Sequence, residues 1–393
     1  MTASPGPHIR HAAVPLWRDV RVLRVFGQIA ILGALALFVL ILAATFFTNI
    51  AQTRLTFSLD FLDQTSGMEL AQTPFPYRST DTFALAFLAG LVNTLLVSAI
   101  GIVLTTALGI VVGVARLSGN WLARRISAGY VEVMRNTPLL VQLVLIAAVM
   151  RQLPGVTESI ALPGSIYLNS RGLHLPRPDS EPGFAPWLVI TLLAVAGGVA
   201  LNWLSARRDE AGLPTYAIGR IGLVVALAVP VVAWIVLSPV RFEVPVLGRF
   251  NFSGGLAVST AFTALLVGLV IYTAAFVGEV VRGGIQAVRR GQVEAAYAIG
   301  LTPGQTLRLV VFPQALRIIV PPLTSQYLNL TKNSSLAVAV GYADLFAVGR
   351  AMANQTSQPL SVIVLVMTTY LLISLLTSLV MNLYNRRVQV MER

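Results

Sequence analysis

The chain reads as long apolar runs separated by short polar stretches. Uncharged runs occupy 25–47, 82–115, 186–206, 221–240, 251–278 and 351–385. Crossing a bilayer takes about 20 apolar residues, so each can form a spanning helix, and the longest must include interfacial or loop residues. Two further spans are softer: 132–150 carries Glu132 and Arg135 near its start, and 318–341 carries Lys332 inside. The pattern predicts an all-α polytopic protein of about eight transmembrane helices. The first run exceeds the usual ~7–15 apolar residues of a signal peptide, and no small-x-small cleavage site follows Phe47. It is therefore expected to stay as a helix about 35 Å long. The longer gaps are expected to be irregular. Residues 48–81 hold Asp60, Asp63, Glu69 and Asp81, while 153–186 hold six prolines and four glycines, which predicts a folded loop without long helices.

Composition agrees with this pattern: 56% hydrophobic, 11% charged and a mean hydropathy of +0.77 make the bilayer the solvent. The formal charge of +12 then becomes informative about orientation. With a cytoplasmic N-terminus, the cytoplasmic stretches collect 18 of the 28 basic residues and the opposite side nine acids against five. That asymmetry is positive-inside anchoring, with both termini cytoplasmic. Arginines clustered at helix ends without a soluble domain argue against nucleic acid as the partner.

Several chemistries are excluded. Lys332 is the single lysine and Thr331 precedes it. No Gly-Lys-Ser/Thr phosphate loop can form, so this chain is not itself a P-loop ATPase. His8, His11 and His174 are scattered and there is no cysteine, which disfavours a metal site or a catalytic triad and leaves the histidines as polar loop residues. No metal and no catalytic residue are expected.

One polar stretch has structure of its own. Glu294–Pro313, EAAYAIGLTPGQTLRLVVFP, lies between apolar runs and predicts two short helices meeting at a turn. Glu294 is placed near the first N-terminus and Gly300 as a left-handed C-cap. Thr302 is placed as the next N-cap, Pro303 at N1 and Gln305 as the capping-box partner. Such a rigid knob suits a membrane protein pushed by a motor it does not contain.

The same run, Glu294-Ala295-Ala296, then Gly300, then Val310-Val311-Phe312-Pro313, resembles the EAA loop of ABC importer permeases. Val310 stands for the usual Ile and Phe312 for the usual Leu. Tyr130-Val-Glu-Val-Met-Arg135-Asn-Thr-Pro138-Leu-Leu-Val-Gln142 is similar to a block of the polar amino-acid permease subfamily (histidine, glutamine, arginine and general L-amino-acid permeases), with Asn136 where Gly is usual. Val277-Gly-Glu279-Val-Val-Arg282-Gly-Gly284-Ile and Lys332-Asn-Ser-Ser-Leu336 resemble two more. The first helix and the insertion near 186–240 resemble the longer Aap- or Bzt-type members.

The resemblance implies a five-helix type I importer core plus one N-terminal and two inserted helices. It divides the chain into a cytoplasmic segment 1–24, the extra helix 25–47, a periplasmic loop 48–85 and a first core part 86–152. Periplasmic loops with two inserted helices follow over 153–258, then a second core part 259–384 with the coupling loop 282–317, and a tail 385–393. Residues Glu294, Ala295, Ala296, Gly300, Leu301, Thr302 and Pro303 would engage a separate ATP-binding subunit. There, Glu294 would cap its helix and meet a basic group. ATP and Mg would sit on that partner. A second permease subunit, in a heterodimer, two ATP-binding subunits and a periplasmic amino-acid-binding protein would complete an importer of polar L-amino acids in the bacterial inner membrane.

Lys332 lies about 22 Å along a helix from Arg317, inside the ~30 Å core. A lysine there costs about 2.5–3.5 kcal/mol unless it faces a cavity or a partner. Asn329 and Ser335 fall at i−3 and i+3, so this face, with Gln142 from another helix, is a candidate for the substrate carboxylate. The alternatives for Lys332 are snorkelling or pairing across a dimer seam. Glu132 with Arg135, and Glu279 with Arg282, are expected as i,i+3 pairs that gate the inward exit or satisfy charge at the membrane boundary. Asn93 and Thr94 are open between helix–helix bonding and substrate contact. The rival functions are an ion-coupled secondary transporter, which wants intramembrane carboxylates, and a non-transport scaffold that recruits a partner through the loop.

Overall fold

A computed structural model describes residues 20–53, 57–210 and 216–389. Arg10, Arg18, His8 and His11 of the expected N-terminal segment, and Arg393 of the tail, lie outside these. Among the described residues, seven helices are long and apolar enough to cross a membrane. The described residues open with α1 (Val20–Thr53) and continue to α2 (Phe83–Ala115), whose N-cap Thr82 accepts from the Leu85 amide. The expected span 132–150 is instead a bent pair. Helix α3 (Trp121–Asn136) and α4 (Leu139–Arg151) meet at 107°. Pro138 causes the break: it has no N–H to donate and forces the preceding Thr137 into an extended conformation, ψ 131°.

The region expected to be irregular contains strands, so the chain is mostly rather than entirely helical. Strands β1 (Ile160–Leu162), β2 (Ile166–Asn169) and β3 (Gly172–Leu175) form an antiparallel meander. The prolines and glycines that argue against helices here supply its turns. Gly164 and Ser165 hold positive φ between β1 and β2, and Asn169 Oδ1 accepts from the Arg171 amide between β2 and β3. Then follow β4 (Arg177–Ser180), α5 (Phe184–Glu210) and α6 (Tyr216–Leu237). Beyond them lie β5 (Val240–Glu243), β6 (Val246–Leu247), β7 (Phe252–Ser253) and β8 (Leu256–Ser259). β8 joins the edge of β3, β4 pairs with β5, and β6 with β7. His174, expected as a polar loop residue, is buried in this layer against Phe252, and that burial lowers its pKa.

The strand layer leads into α7 (Thr260–Gln286), capped by Ser259. The Glu294 region follows as α8 (Arg290–Ala298) and the short α9 (Pro303–Thr306), then one π turn, Leu307–Val311. Helix α10 (Phe312–Asn333) runs continuously through Pro321 and Pro322 and ends in a 3₁₀ segment, Ser334–Ala339. The uncharged run 351–385 is not one helix. It is divided between α11 (Leu345–Thr356) and α12 (Pro359–Gln389) by Ser357, which takes a left-handed φ of 53°.

Packing centres on α2, α4, α7, α10, α11 and α12. In lipid, helices associate through close contact and interhelical hydrogen bonds rather than hydrophobic exclusion. Helix α2 approaches α7 at Gly109 and Gly113, where an added Cβ would lie 2.4 Å from Val277 Cγ1 and 2.8 Å from the Gly278 carbonyl oxygen respectively. Asn93 donates to the Gln72 and Ala343 carbonyls, and Thr94 accepts from the Leu345 amide. Of their two expected roles, these side chains take helix–helix and helix–loop bonding. Helices α5 and α6 pair closely at Gly198 and Gly222, and the described side chains of α1 are almost all exposed.

Candidate functional site

The Glu294–Pro313 loop projects on the side that carries the arginines of the α2–α3 and α7–α8 connections. Gly300 ends α8 in the left-handed conformation, φ 84°. Thr302 and Gln305 form a reciprocal capping box with Pro303 at N1. These features follow the sequence reading, because capping chemistry is local. The position of Glu294 does not. Helix α8 starts at Arg290, so Glu294 is its fifth residue and caps nothing. It is exposed, and among the described residues it makes no hydrogen bond or ion pair. Ala296 is buried beneath it, Ala295 is exposed, and Tyr297, Leu307 and an Ile299 that is 78% exposed give the knob an apolar outer face.

The predicted substrate residues are divided between two cavities. Lys332 and Ser335 open into a groove of about 610 Å³ between α10, α11 and α12, walled by Phe346, Val362, Val366 and Tyr370 and shared with Arg350. This groove holds two cations, no carboxylate and mostly apolar surface. Lys332 makes no ion pair with a described residue, and Asp344 is occupied elsewhere: it caps α11 through the Ala347 amide and accepts from the Tyr370 hydroxyl. Asn329 instead faces a separate cavity of about 320 Å³ between α7 and α10, with Tyr272, Thr273, Phe276, Gln326 and Asn333. Gln326, Asn329 and Asn333 repeat at i, i+3 and i+7, so one stripe of α10 presents three amides to this space. The sequence reading takes only Asn329 from the stripe; its 3–4 spacing is the available signal.

Gln142 serves the backbone. Its Nε2 donates to the Met134 and Thr137 carbonyls, both at 3.1 Å. These are among the carbonyls left without partners where α3 stops before Pro138. The amide therefore holds the bend between α3 and α4 and its donors are not free for a ligand.

The expected ion pairs also rearrange. Glu279 bonds Arg282 at 3.0 Å and is in addition paired with Arg116 at the end of α2. Glu132 and Arg135 do not pair with each other. Arg135 lies over the Phe276 ring, 5.3 Å from its centroid, and the neighbouring Tyr130 hydroxyl donates to the Ile271 carbonyl midway along α7. Together these contacts hold α3 against the middle of α7. No group of three or more histidines or carboxylates that could hold a metal ion occurs among the described residues.

A helical membrane body with an exposed, rigidly capped loop has the form of an importer permease. Residues 210–390 match the family described as "Binding-protein-dependent transport system inner membrane component", and the chain belongs to this family of ABC importer permease subunits. It is 42% identical to the "General L-amino acid transport system permease protein AapQ" of Rhizobium johnstonii, with 95% of this chain and 94% of that protein covered. It is 41% identical to the "Putative amino-acid ABC transporter permease protein YhdX" of Escherichia coli K12, over 88% of this chain and 89% of that one. It is 39% identical to the "Glutamate/glutamine/aspartate/asparagine transport system permease protein BztB" of Rhodobacter capsulatus, with the same two coverages.

Proposed function

We propose that this chain is the membrane subunit of an importer that carries polar L-amino acids by alternating access, driven by ATP hydrolysis on a separate subunit. The observation that carries the coupling is the knob at Glu294–Pro313. It is fixed by Gly300 and the Thr302–Gln305 capping box, while Glu294 and Ile299 point outward without partners among the described residues. Glu294, Ala295, Ala296, Gly300, Leu301, Thr302 and Pro303 form the surface offered to the ATP-binding subunit, which holds ATP and Mg. The arginine bias supports a reading in which this side and both termini lie in the cytoplasm of a bacterium and the chain sits in its inner membrane. The strand layer then faces the periplasm, where a binding protein delivers substrate. Two ATP-binding subunits and a second permease subunit, in a heterodimer, complete the assembly. The amide-lined cavity at Asn329 supports a substrate path between α7 and α10. The groove at Lys332 and Ser335 can take a carboxylate but has no carboxylate of its own to pair with an ammonium group, and Gln142 acts through the bend.

The test is amino-acid uptake into vesicles by the complex co-expressed with its ATP-binding subunit. ATP-dependent uptake is expected, and Glu294→Arg removes it together with co-purification of the ATP-binding subunit. Uptake driven by an ion gradient with no ATP-binding subunit present overturns the reading.

A further inference from the structure

A second polar cavity lies across Phe276 from the amide-lined one, on the basic side. It measures about 420 Å³ and is lined by Arg116, by Val131, Glu132, Arg135 and Asn136 of α3, and by Phe276 and Glu279 of α7, among others. Tyr272, Phe276 and Glu279 recur at i, i+4 and i+7, so one stripe of α7 runs past both cavities. The Phe276 ring belongs to both linings. It packs on Tyr272 at 5.0 Å and carries the Arg135 guanidinium on its face, and so stands between the two spaces.

The charged groups of this cavity fall into two sets. Glu279 pairs with Arg116 and, outside the lining, with Arg282, which also donates to Gln286. Glu132 and Arg135 remain. Residues three apart on a helix are close enough to pair, yet these two make no ion pair with each other or with any described residue. An anion and a cation without ion-pair partners, one helical turn apart at a cavity of ligand size, complement a molecule that carries both charges, although Arg135 rests on the Phe276 ring and Glu132 lies within the field of Arg116. A simple anion would leave Glu132 repelled, and a simple cation would do the same to Arg135.

We propose that Glu132 and Arg135 form a release station for zwitterionic α-amino acids on the cytoplasmic side of Phe276. Arg135 takes the α-carboxylate, Glu132 the α-ammonium, and the Phe276 ring the start of the side chain. When the Arg135 guanidinium leaves the ring, Phe276 is free to turn and join the upper cavity to the lower. This inference rests on the amino-acid import reading and adds a site that discriminates by charge pattern rather than by side chain.

Equilibrium dialysis of radiolabelled L-glutamine against the purified, nucleotide-free complex, without the binding protein, tests it. Saturable binding is expected. Unlabelled L-glutamine competes, whereas 4-aminobutanamide, which lacks the carboxylate, and 4-carbamoylbutanoate, which lacks the ammonium, compete poorly. Glu132→Gln and Arg135→Gln each weaken binding by about tenfold or more, the scale of one lost charge-assisted contact. Arg135→Lys, which keeps the charge, loses less than Arg135→Gln. Co-purification of the subunits and thermal stability are followed for each variant, so that misassembly is seen as such. Equal competition by the single-charge analogues, or unchanged affinity in both neutral variants of a complex that still imports glutamine with ATP, overturns the station and leaves the importer reading standing. A complex that imports no amino acid with ATP overturns the importer reading itself.

Discussion

Single side chains in this protein divide by whether their role is local. Thr302, Pro303 and Gln305 were legible because a capping box needs a fixed spacing and nothing else. Gln142 was not, since its role depends on where α3 stops, and Glu294 was misplaced because no strong cap marks the start of α8 at Arg290. The Gln142 assignment has a sharp consequence. Leucine at this position leaves the Met134 and Thr137 carbonyls without its donor in a water-poor setting, a loss of about 1–3 kcal/mol. Gln142→Glu does no better while ionised, because a carboxylate only accepts. Both variants are expected to unfold at lower temperature than the parent in detergent. Loss of uptake with unchanged thermal stability would instead return Gln142 to the substrate.

At the scale of elements, hydropathy located most of the membrane-crossing segments but not their breaks. It reports composition, whereas the 107° turn at Pro138 and the left-handed Ser357 are backbone events inside apolar sequence. The strand layer escaped for a related reason: Pro and Gly exclude long helices, but three- and four-residue strands between them leave little period to read. The contact between α2 and α7 was legible in principle, as Gly109-Ile-Val-Val-Gly113 has the small-xxx-small spacing that lets helices close in. Its use appears only in the 2.4 Å that a Cβ on Gly109 would leave to Val277. Leucine at Gly109 or Gly113 must push α2 away from α7, at about 1–3 kcal/mol for overpacking, or more where backbone is met. Gly33→Leu on α1, where nothing lies within 4 Å, is the matched control. Thermal unfolding of the three variants should separate the first two from the third, and three equal melting temperatures would mean that the glycine contact does not hold the helices.

Across the whole molecule, the two sides of the membrane body are built differently. One carries a layer of short strands tied to the helices through Gln72, which accepts from the Ser259 amide and from Asn93. The other carries arginine-rich connections and the knob. A partner can move the helices through that knob only if it transmits force without yielding, and Gly300 contributes to that stiffness alongside the Thr302–Gln305 capping box. Gly300 holds φ at 84°, and a Cβ added there would meet nothing within 4 Å, so a substitution acts through backbone strain and not through collision. Valine in the left-handed region costs about 1–2 kcal/mol or more, being β-branched, and the turn relieves that by opening. The angle between α8 and α9 then changes while α7 and α10 keep their contacts. Gly300→Val is therefore expected to keep the melting temperature of the membrane body within a few degrees and to lower ATP-dependent uptake. Gly300→Asn, whose side chain tolerates the left-handed region, is expected to fall between the parent and the valine variant. Uptake and ATP hydrolysis measured on the same preparations separate the possibilities. Hydrolysis that continues while uptake falls places the defect in transmission through the turn. Full uptake by Gly300→Val would mean that the knob works without this turn and that stiffness at Gly300 is not part of coupling.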